Sequence, residues 1–279
     1  MEYIKTKTGL AQALRRYSEP HGSTGFVPTM GALHAGHQSL VERCRSENAI
    51  TVVSIFVNPT QFNDADDYAH YPRTLEDDLN RLESSGCDYA FAPSVEEMYP
   101  EDDSRVFDFG TLDKVMEGAF RPGHFNGVAQ IVSRLLDVVQ PIRAYFGEKD
   151  FQQLAIIRRL VAMTKQPVQI VGCPIVREPD GLAMSSRNTR LTPEQRQQAP
   201  AIARTLFACR DRITRAQSLE ELKSWVMEQV DSTPCLKTEY FDIVDRHTLQ
   251  TAAAYRKDAL QGCIAVHVGN VRLIDNIPL

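Results

Sequence analysis

At 279 residues, 43% hydrophobic and 24% charged, with a net charge of −5, the chain has the composition of a globular protein with one large domain or two ordinary ones. The acidic balance gives no electrostatic basis for a nucleic-acid partner, although a local basic pocket for an anionic substrate remains compatible with it. The six cysteines lie far apart with no C-x-x-C pair, which argues against a zinc ribbon or a disulfide framework and suits a reducing, cytoplasmic setting.

The N-terminal stretch MEYIKTKTGLAQALRRY is charged and reads as an amphipathic helix, not as a signal peptide. The apolar stretch at residues 48–63 is too short to span a bilayer, so no membrane partner is expected. Apolar runs rich in β-branched residues then alternate with helical-period segments. Strands are expected at 25–29, 50–57, 88–93, 143–147 and 168–176, with helices at 36–47, 74–85, 127–139 and 150–165. Thr74 is a plausible N-cap for the second helix and Gly86 its stop. Continuous apolar strands separated by helices mean a parallel sheet covered on both faces, an α/β fold whose ligands bind in the loops at the carboxyl ends of the strands.

The first such loop is PTMGALHAGH, residues 28–37, with His34 and His37 three apart and glycines at 31 and 36. The histidines read as metal ligands, as core and surface residues, or as groups that hold an anion. A metal needs further ligands that no local His or Cys supplies. A helix N-terminus attracts phosphate through its unpaired N–H groups, and glycines let the backbone come close to a ligand. The loop after the second strand, NPTQFND, carries Gln61 on a turn that Asn58-Pro59 alone would explain. In TLEDDLNRL, Asp77 and Asp78 stand in the first turn of a helix, where acids usually meet the helix dipole; a magnesium role is the sharper reading. FGEKDFQQL supplies Gly147, the cation Lys149, Asp150 and, one turn further, Gln153. After the fifth strand, MSSRN (184–188) reads either as an anion clamp on a mobile segment or as a solvated linker.

Beyond Val176 the pattern changes. A polar loop leads to a helix with Thr192 as N-cap, Pro193 in its first turn and Gln195 closing a capping box, and Pro200 kinks or splits it. Antiparallel strands are expected at 238–245, 262–269 and 271–277, the last two joined by a turn at Gly269-Asn270. The domains are therefore expected to be 1–176, binding the ligands, and 177–279, a smaller α+β domain. No G-x-x-x-x-G-K-[ST] loop occurs, and the first strand–helix turn lacks G-x-G-x-x-G, which disfavours P-loop NTPases and the usual dehydrogenases.

PTMGALHAGH resembles the HIGH-type motif of adenylyl-transferring Rossmann-like enzymes, and MSSRN stands where their KMSKS-type loop does. With SIFVNPTQF, YPRTLEDD, RPGHFNGV, YFGEKDFQQL and REPDGLAMSSRN in the same order, the chain resembles the pantothenate synthetase (pantoate–β-alanine ligase) family over nearly its whole length. The resemblance implies a Rossmann-like first domain and an ATP- and Mg²⁺-dependent condensation of pantoate with β-alanine. That reaction passes through an enzyme-bound pantoyl adenylate, releases AMP and pyrophosphate, and is usually run by a cytosolic homodimer. Carried over residue by residue, it implies ATP contacts from Met30, Gly31, Ala32, Leu33, His34, Ala35, Gly36 and His37. Gly147, Glu148, Lys149, Asp150, the backbone of Val176, Met184, Ser185, Ser186 and Arg187 would also line the nucleotide. His34 would lie near the phosphates, and His37 would donate a proton to the departing pyrophosphate. Lys149 and Arg187 would share the phosphate charge. Gln61, Gln153 and Met30 would hold pantoate, Gln61 would also border β-alanine, and Asp77 matches a magnesium-associated position.

Two positions depart from the family pattern: Thr60 stands where methionine is expected, and Arg81 where some members carry glutamine. His124 is a candidate base for the β-alanine amine or a structural histidine. The second domain is expected to close over the reactive adenylate, with residues 178–191 mobile until ATP binds. The alternative enzyme is a nucleotidyltransferase that places AMP on a phosphorylated acceptor, and the non-enzyme alternative is a regulatory module that binds ATP without turnover. A tRNA synthetase fragment fits neither the charge nor the missing anticodon-binding extension.

Overall fold

The computed structural model describes residues 1–16 and 23–279. They form two compact units. The first comprises 1–109, 121–148 and 156–174, and the second comprises 110–120, 149–155 and 175–279. Two stretches inside the expected first domain, 110–120 and 149–155, thus cluster with the C-terminal unit.

The first unit is built on six parallel strands: β1 (Glu2–Ile4), β2 (Thr24–Thr29), β3 (Ile50–Ile55), β4 (Tyr89–Phe91), β5 (Arg143–Gly147) and β6 (Gln169–Cys173). Their order across the sheet is β1-β4-β3-β2-β5-β6. Phe26, Val27, Val52 and Val53 are fully buried, as expected for central strands covered on both faces. β1 corrects the reading of the N-terminus as one helix. Glu2, Tyr3 and Ile4 pair with Tyr89, Ala90 and Phe91, and the helix starts only at Lys7, where the Thr6 hydroxyl accepts the Gly9 N–H at 3.1 Å. Three residues are too few to display a strand period, so pairing rather than pattern decides this one. Tyr17, the last residue of that stretch, lies outside the described residues. The expected strand 168–176 stops at Cys173, ahead of Pro174. The helix expected at 127 begins at His124, behind a left-handed Gly123.

The second unit carries an antiparallel sheet of β7 (Leu236–Asp245), β8 (Leu260–Val268) and β9 (Val271–Pro278), in that order. Pro200 splits the preceding helix into Pro193–Gln198 and Ala201–Arg212, and the Thr192–Gln195 capping box is formed. A further helix, Leu219–Asp231, was not expected, although Ser218 and Glu221 spell its N-terminus; Ser218 accepts the Glu221 N–H at 3.1 Å. Ile202, Leu206, Leu222 and Val226 pack with Ile243, Ile264 and Leu273. Met116, Phe151 and Ala155 pack with Val244 and Cys263. Apolar neighbours from both groups explain why β8 is buried along nearly its whole length. No helix among the described residues is long and apolar enough to cross a membrane.

Candidate active site

In the first unit the strand order reverses between β2 and β5, and open α/β sheets bind ligands beyond the carboxyl ends of the strands at such a switch point. The loop leaving β2 begins with Thr29, whose hydroxyl donates to Ser54 O at 2.6 Å and accepts the Gly31 N–H at 3.2 Å. Gly31 (φ 83°) and Ala32 (φ 49°) are both left-handed. A Cβ at Gly31 would stand 3.0 Å from Asp78 Oδ2. The buried Asp78 carboxylate accepts the N–H groups of Ala32 at 2.9 Å and Leu33 at 2.7 Å and so fixes this turn. Asp77 is exposed, about 100° further round the helix Leu75–Ser84. Of the two adjacent acids, then, the one not singled out from sequence shapes the loop. Its signal was position: Asp78 lies four residues before Leu82, on the buried stripe of the helix.

His34 caps the helix Ala35–Glu47. Its Nδ1 accepts the Gly36 N–H at 3.1 Å, and His37 Nδ1 accepts the His34 N–H at 3.4 Å, a reciprocal capping box made of two imidazoles. Backbone N–H groups only donate, so neither Nδ1 carries a proton and each neutral ring is held as the Nε2–H tautomer. The ring centroids are 4.1 Å apart. The histidines are therefore a preorganised pair of donors at a helix N-terminus.

Gln61 ends a 3-10 turn, Pro59–Gln61. Its Nε2 lies 3.1 Å from Met30 Sδ, which joins two of the three residues expected to hold pantoate. Its Oε1 accepts from Asn58 Nδ2 at 3.2 Å, and Asn58 also donates to Gly127 O at 3.1 Å. A carbonyl only accepts, so the Asn58 amide is oriented and Gln61 is left presenting its N–H side. The helix comes this close because residue 127 is glycine: a Cβ there would stand 2.2 Å from Thr60 O. Asn58 Oδ1 accepts from Tyr99 OH at 2.7 Å, and the Thr60 hydroxyl lies 3.3 Å from the same oxygen. Burial raises the Tyr99 phenol, which keeps it a donor. His124 bonds through Nδ1 to Gln61 O at 2.7 Å, and its Nε2 faces Arg121 Nη1 at 3.3 Å. A carbonyl demands Nδ1–H and a guanidinium demands an unprotonated Nε2, so both nitrogens are engaged and the structural reading of His124 is the one supported. Arg81 is exposed.

In the second unit, Lys149 Nζ lies 3.8 Å from Asp150 Oδ1 at the end of the 3-10 turn Glu148–Asp150, which continues the chain from Gly147. Gln153 is half-buried. Its neighbour Gln152 is buried and structural, accepting the Glu117 N–H at 3.0 Å and donating to Leu112 O at 2.7 Å and Val115 O at 2.8 Å. Val176 O accepts the Met184 N–H at 3.0 Å, so these two expected nucleotide contacts are adjacent. Ser185 caps the 3-10 turn Ser186–Arg190, accepting the Arg187 N–H at 3.3 Å, and Asn188 ties the turn to Ala183 O at 3.1 Å.

The family model described as pantoate-beta-alanine ligase matches residues 2–278. The pantothenate synthetase of Bacteroides thetaiotaomicron is 57% identical over 99% of this chain and 98% of its own length. That of Porphyromonas gingivalis strain ATCC 33277 is 52% identical over 99% of both. The crystal structure of pantothenate synthetase from Thermus thermophilus superposes with a TM-score of 0.92 at 46% identity, covering 100% of this chain and 99% of that one. The pantoate-beta-alanine ligase of Francisella tularensis, complexed with beta-gamma ATP and beta-alanine, superposes with a TM-score of 0.82 at 35% identity, covering 100% and 97%. The α/β fold with its small antiparallel sheet agrees with these matches, and the chain belongs to the pantoate–β-alanine ligase family.

Proposed function

We propose that this protein condenses pantoate with β-alanine in two steps, through a bound pantoyl adenylate. A pantoate carboxylate oxygen attacks the α-phosphorus of ATP, and the bond to the bridging oxygen breaks to release pyrophosphate. The unprotonated amine of β-alanine then attacks the acyl carbon. AMP leaves, the amine loses a proton to solvent, and pantothenate forms. The observation that carries this reading is the Gln61 amide, fixed at Oε1 by Asn58 and placed against Met30. Its N–H side suits a substrate with carboxylate and hydroxyl oxygens and orients it without an ion pair that would dull the nucleophile. Gln153 is assigned to the same substrate, and Gln61 also borders β-alanine.

The charge of the triphosphate falls to the Nε2–H groups of His34 and His37, to the N–H groups of the loop from Met30 to His37, and to Lys149 and Arg187. Charge stabilisation of this kind matters most where negative charge collects on the departing pyrophosphate, which is the role we assign to His37. Gly147 to Asp150, Val176 and Met184 to Arg187 line the nucleotide in this reading, which the ATP-complexed Francisella relative supports. Among the described residues no three His, Cys, Asp or Glu side chains cluster into a metal cage. This donor set fits Mg²⁺ arriving on the phosphates, since that ion keeps its waters and takes only one or two carboxylates. Asp77 is the carboxylate we assign to it, and bound there it would neutralise phosphate charge. The working form we propose is a cytosolic homodimer.

AMP and pyrophosphate formation from ATP and Mg²⁺ with pantoate, with and without β-alanine, tests the reaction. Sustained AMP with both substrates, and at most one bound equivalent of adenylate with pantoate alone, is the expected result. A dinucleotide product would mean a nucleotidyltransferase, and ATP binding with no AMP in either condition would sink the proposal.

A further inference from the structure

Successive residues of a strand face opposite sides of the sheet. Near the end of β9, Asp275 and Asn276 are nonetheless both buried, so the strand serves two neighbours at once. On one face Asp275 takes Arg177 in a two-pronged pair, Nη1 to Oδ2 at 2.7 Å and Nη2 to Oδ1 at 2.9 Å. Arg177 spans the base of the loop that leads to the serines, donating also to Gly181 O at 3.0 Å. On the other face Asn276 donates from Nδ2 to the backbone carbonyl of Lys149 at 2.8 Å. Its Oδ1 accepts from Gln261 Nε2 at 2.6 Å.

The amide of Asn276 is thereby oriented from both ends, because a carbonyl requires its NH2 group and an amide N–H requires its oxygen. Gln261 makes this arrangement at a cost to stability. It is 2% exposed, and its Oε1 has no hydrogen-bond partner among the described residues. A buried amide oxygen left unpaired is destabilising. Residues kept against local stability are commonly those that shape a site.

We infer that Asn276 is a positioning residue for Lys149. It pins the backbone of the 3-10 turn so that the lysine ammonium is presented to the phosphates in one geometry, with Gln261 orienting Asn276. The inference rests on the phosphate-binding role proposed for Lys149. Positioning errors far smaller than a residue can slow a group-transfer step severely.

The test is steady-state kinetics on the full chain with ATP, Mg²⁺, pantoate and β-alanine, for wild type, Asn276→Ala, Lys149→Ala and the double variant. Asn276→Ala is expected to lower kcat by roughly ten- to a hundredfold, with KM for pantoate changed less than about twofold. In the Lys149→Ala background the same substitution should cost less than about twofold, because residues acting through one group are not additive. A merely structural role would multiply the two losses, and that result overturns the inference, as does Asn276→Ala with wild-type kinetics. Gln261→Met keeps the volume and removes the unpaired oxygen but also the donor to Asn276 Oδ1, so the two effects on melting should largely offset while kcat falls severalfold. Should Asn276→Ala not fold, unchanged kinetics in Gln261→Met is the overturning result. A wild-type protein that forms no AMP defeats the functional reading and this inference together. An active wild type, a slow Lys149→Ala and multiplying losses defeat this inference alone.

Discussion

Leu33 donates its backbone N–H to Asp78 Oδ1 at 2.7 Å across 45 positions of sequence, while Ala32 uses the other carboxylate oxygen. A left-handed alanine is disfavoured by roughly 1–2 kcal/mol, so the histidine loop depends on this carboxylate for its shape. Asp78→Ala should destabilise the protein by about 3 kcal/mol and raise KM for ATP, since two buried donors lose a charged acceptor. Asp77→Ala, on the exposed side, should stay within about 0.5 kcal/mol in stability. Denaturant unfolding of both variants checks the contrast, and equal destabilisation would contradict it.

The imidazole of His34 has a cap to maintain as well as a ligand to meet. Asparagine is a good N-cap, so His34→Asn should retain stability, whereas His34→Ala should lose about 1 kcal/mol. Both should be slow in AMP formation. Thermal melts beside turnover separate the two functions, and an active His34→Asn would remove the imidazole from the chemistry.

The buried carboxylate of Asp103 is gripped by Arg105 (Nη2–Oδ2, 2.6 Å) and Arg134 (Nε–Oδ2, 2.7 Å). The Arg105 guanidinium, with Arg134, holds its carboxyl well below the usual carboxylate range. A depressed native value stabilises the fold above the unfolded pKa, near 4, and that contribution drains away as pH falls further. Asp103→Asn should therefore cost about 3 kcal/mol at pH 7 and progressively less towards pH 2. Melting curves across that range provide the measurement, and a pH-independent difference would reject the linkage.

Burial pushes the thiols of Cys44, Cys87 and Cys209 up to about 12, and raises those of Cys173 and Cys263. Cys235 alone among the six is exposed. An aromatic disulfide reagent at pH 8 should titrate one equivalent quickly and five more only in denaturant. Two or more fast equivalents would show that a buried thiol opens readily.

The sequence made the interior strands legible because the middles of β2, β3 and β5 are buried on both faces and are mostly apolar. It hid β1, whose three residues gain their conformation from β4 alone. The histidine loop, the glutamine turn and the serine loop were visible as motifs at strand ends. The residues that hold them were not: Asn58 looked like part of a turn, Asp78 like a dipole partner, and Asn276 like one more residue of a strand. Asp78 and Asn276 act across 45 and 127 positions of chain, and no local pattern records such a pairing.

The C-terminal unit is not a contiguous piece of chain, and that bears on how the protein can be cut or recombined. A fragment starting at 175 would lack Glu117, which meets Arg272 at 2.6 and 2.8 Å, and would keep only Glu239 for that guanidinium. It would also lack Met116 and Phe151 from the apolar cluster beside Val244 and Cys263. Exchange between relatives at that junction would thus join one parent's sheet to another's Glu117 and Phe151. Chimeras that move 110–120, 149–155 and 175–279 as one set should be the ones that stay folded.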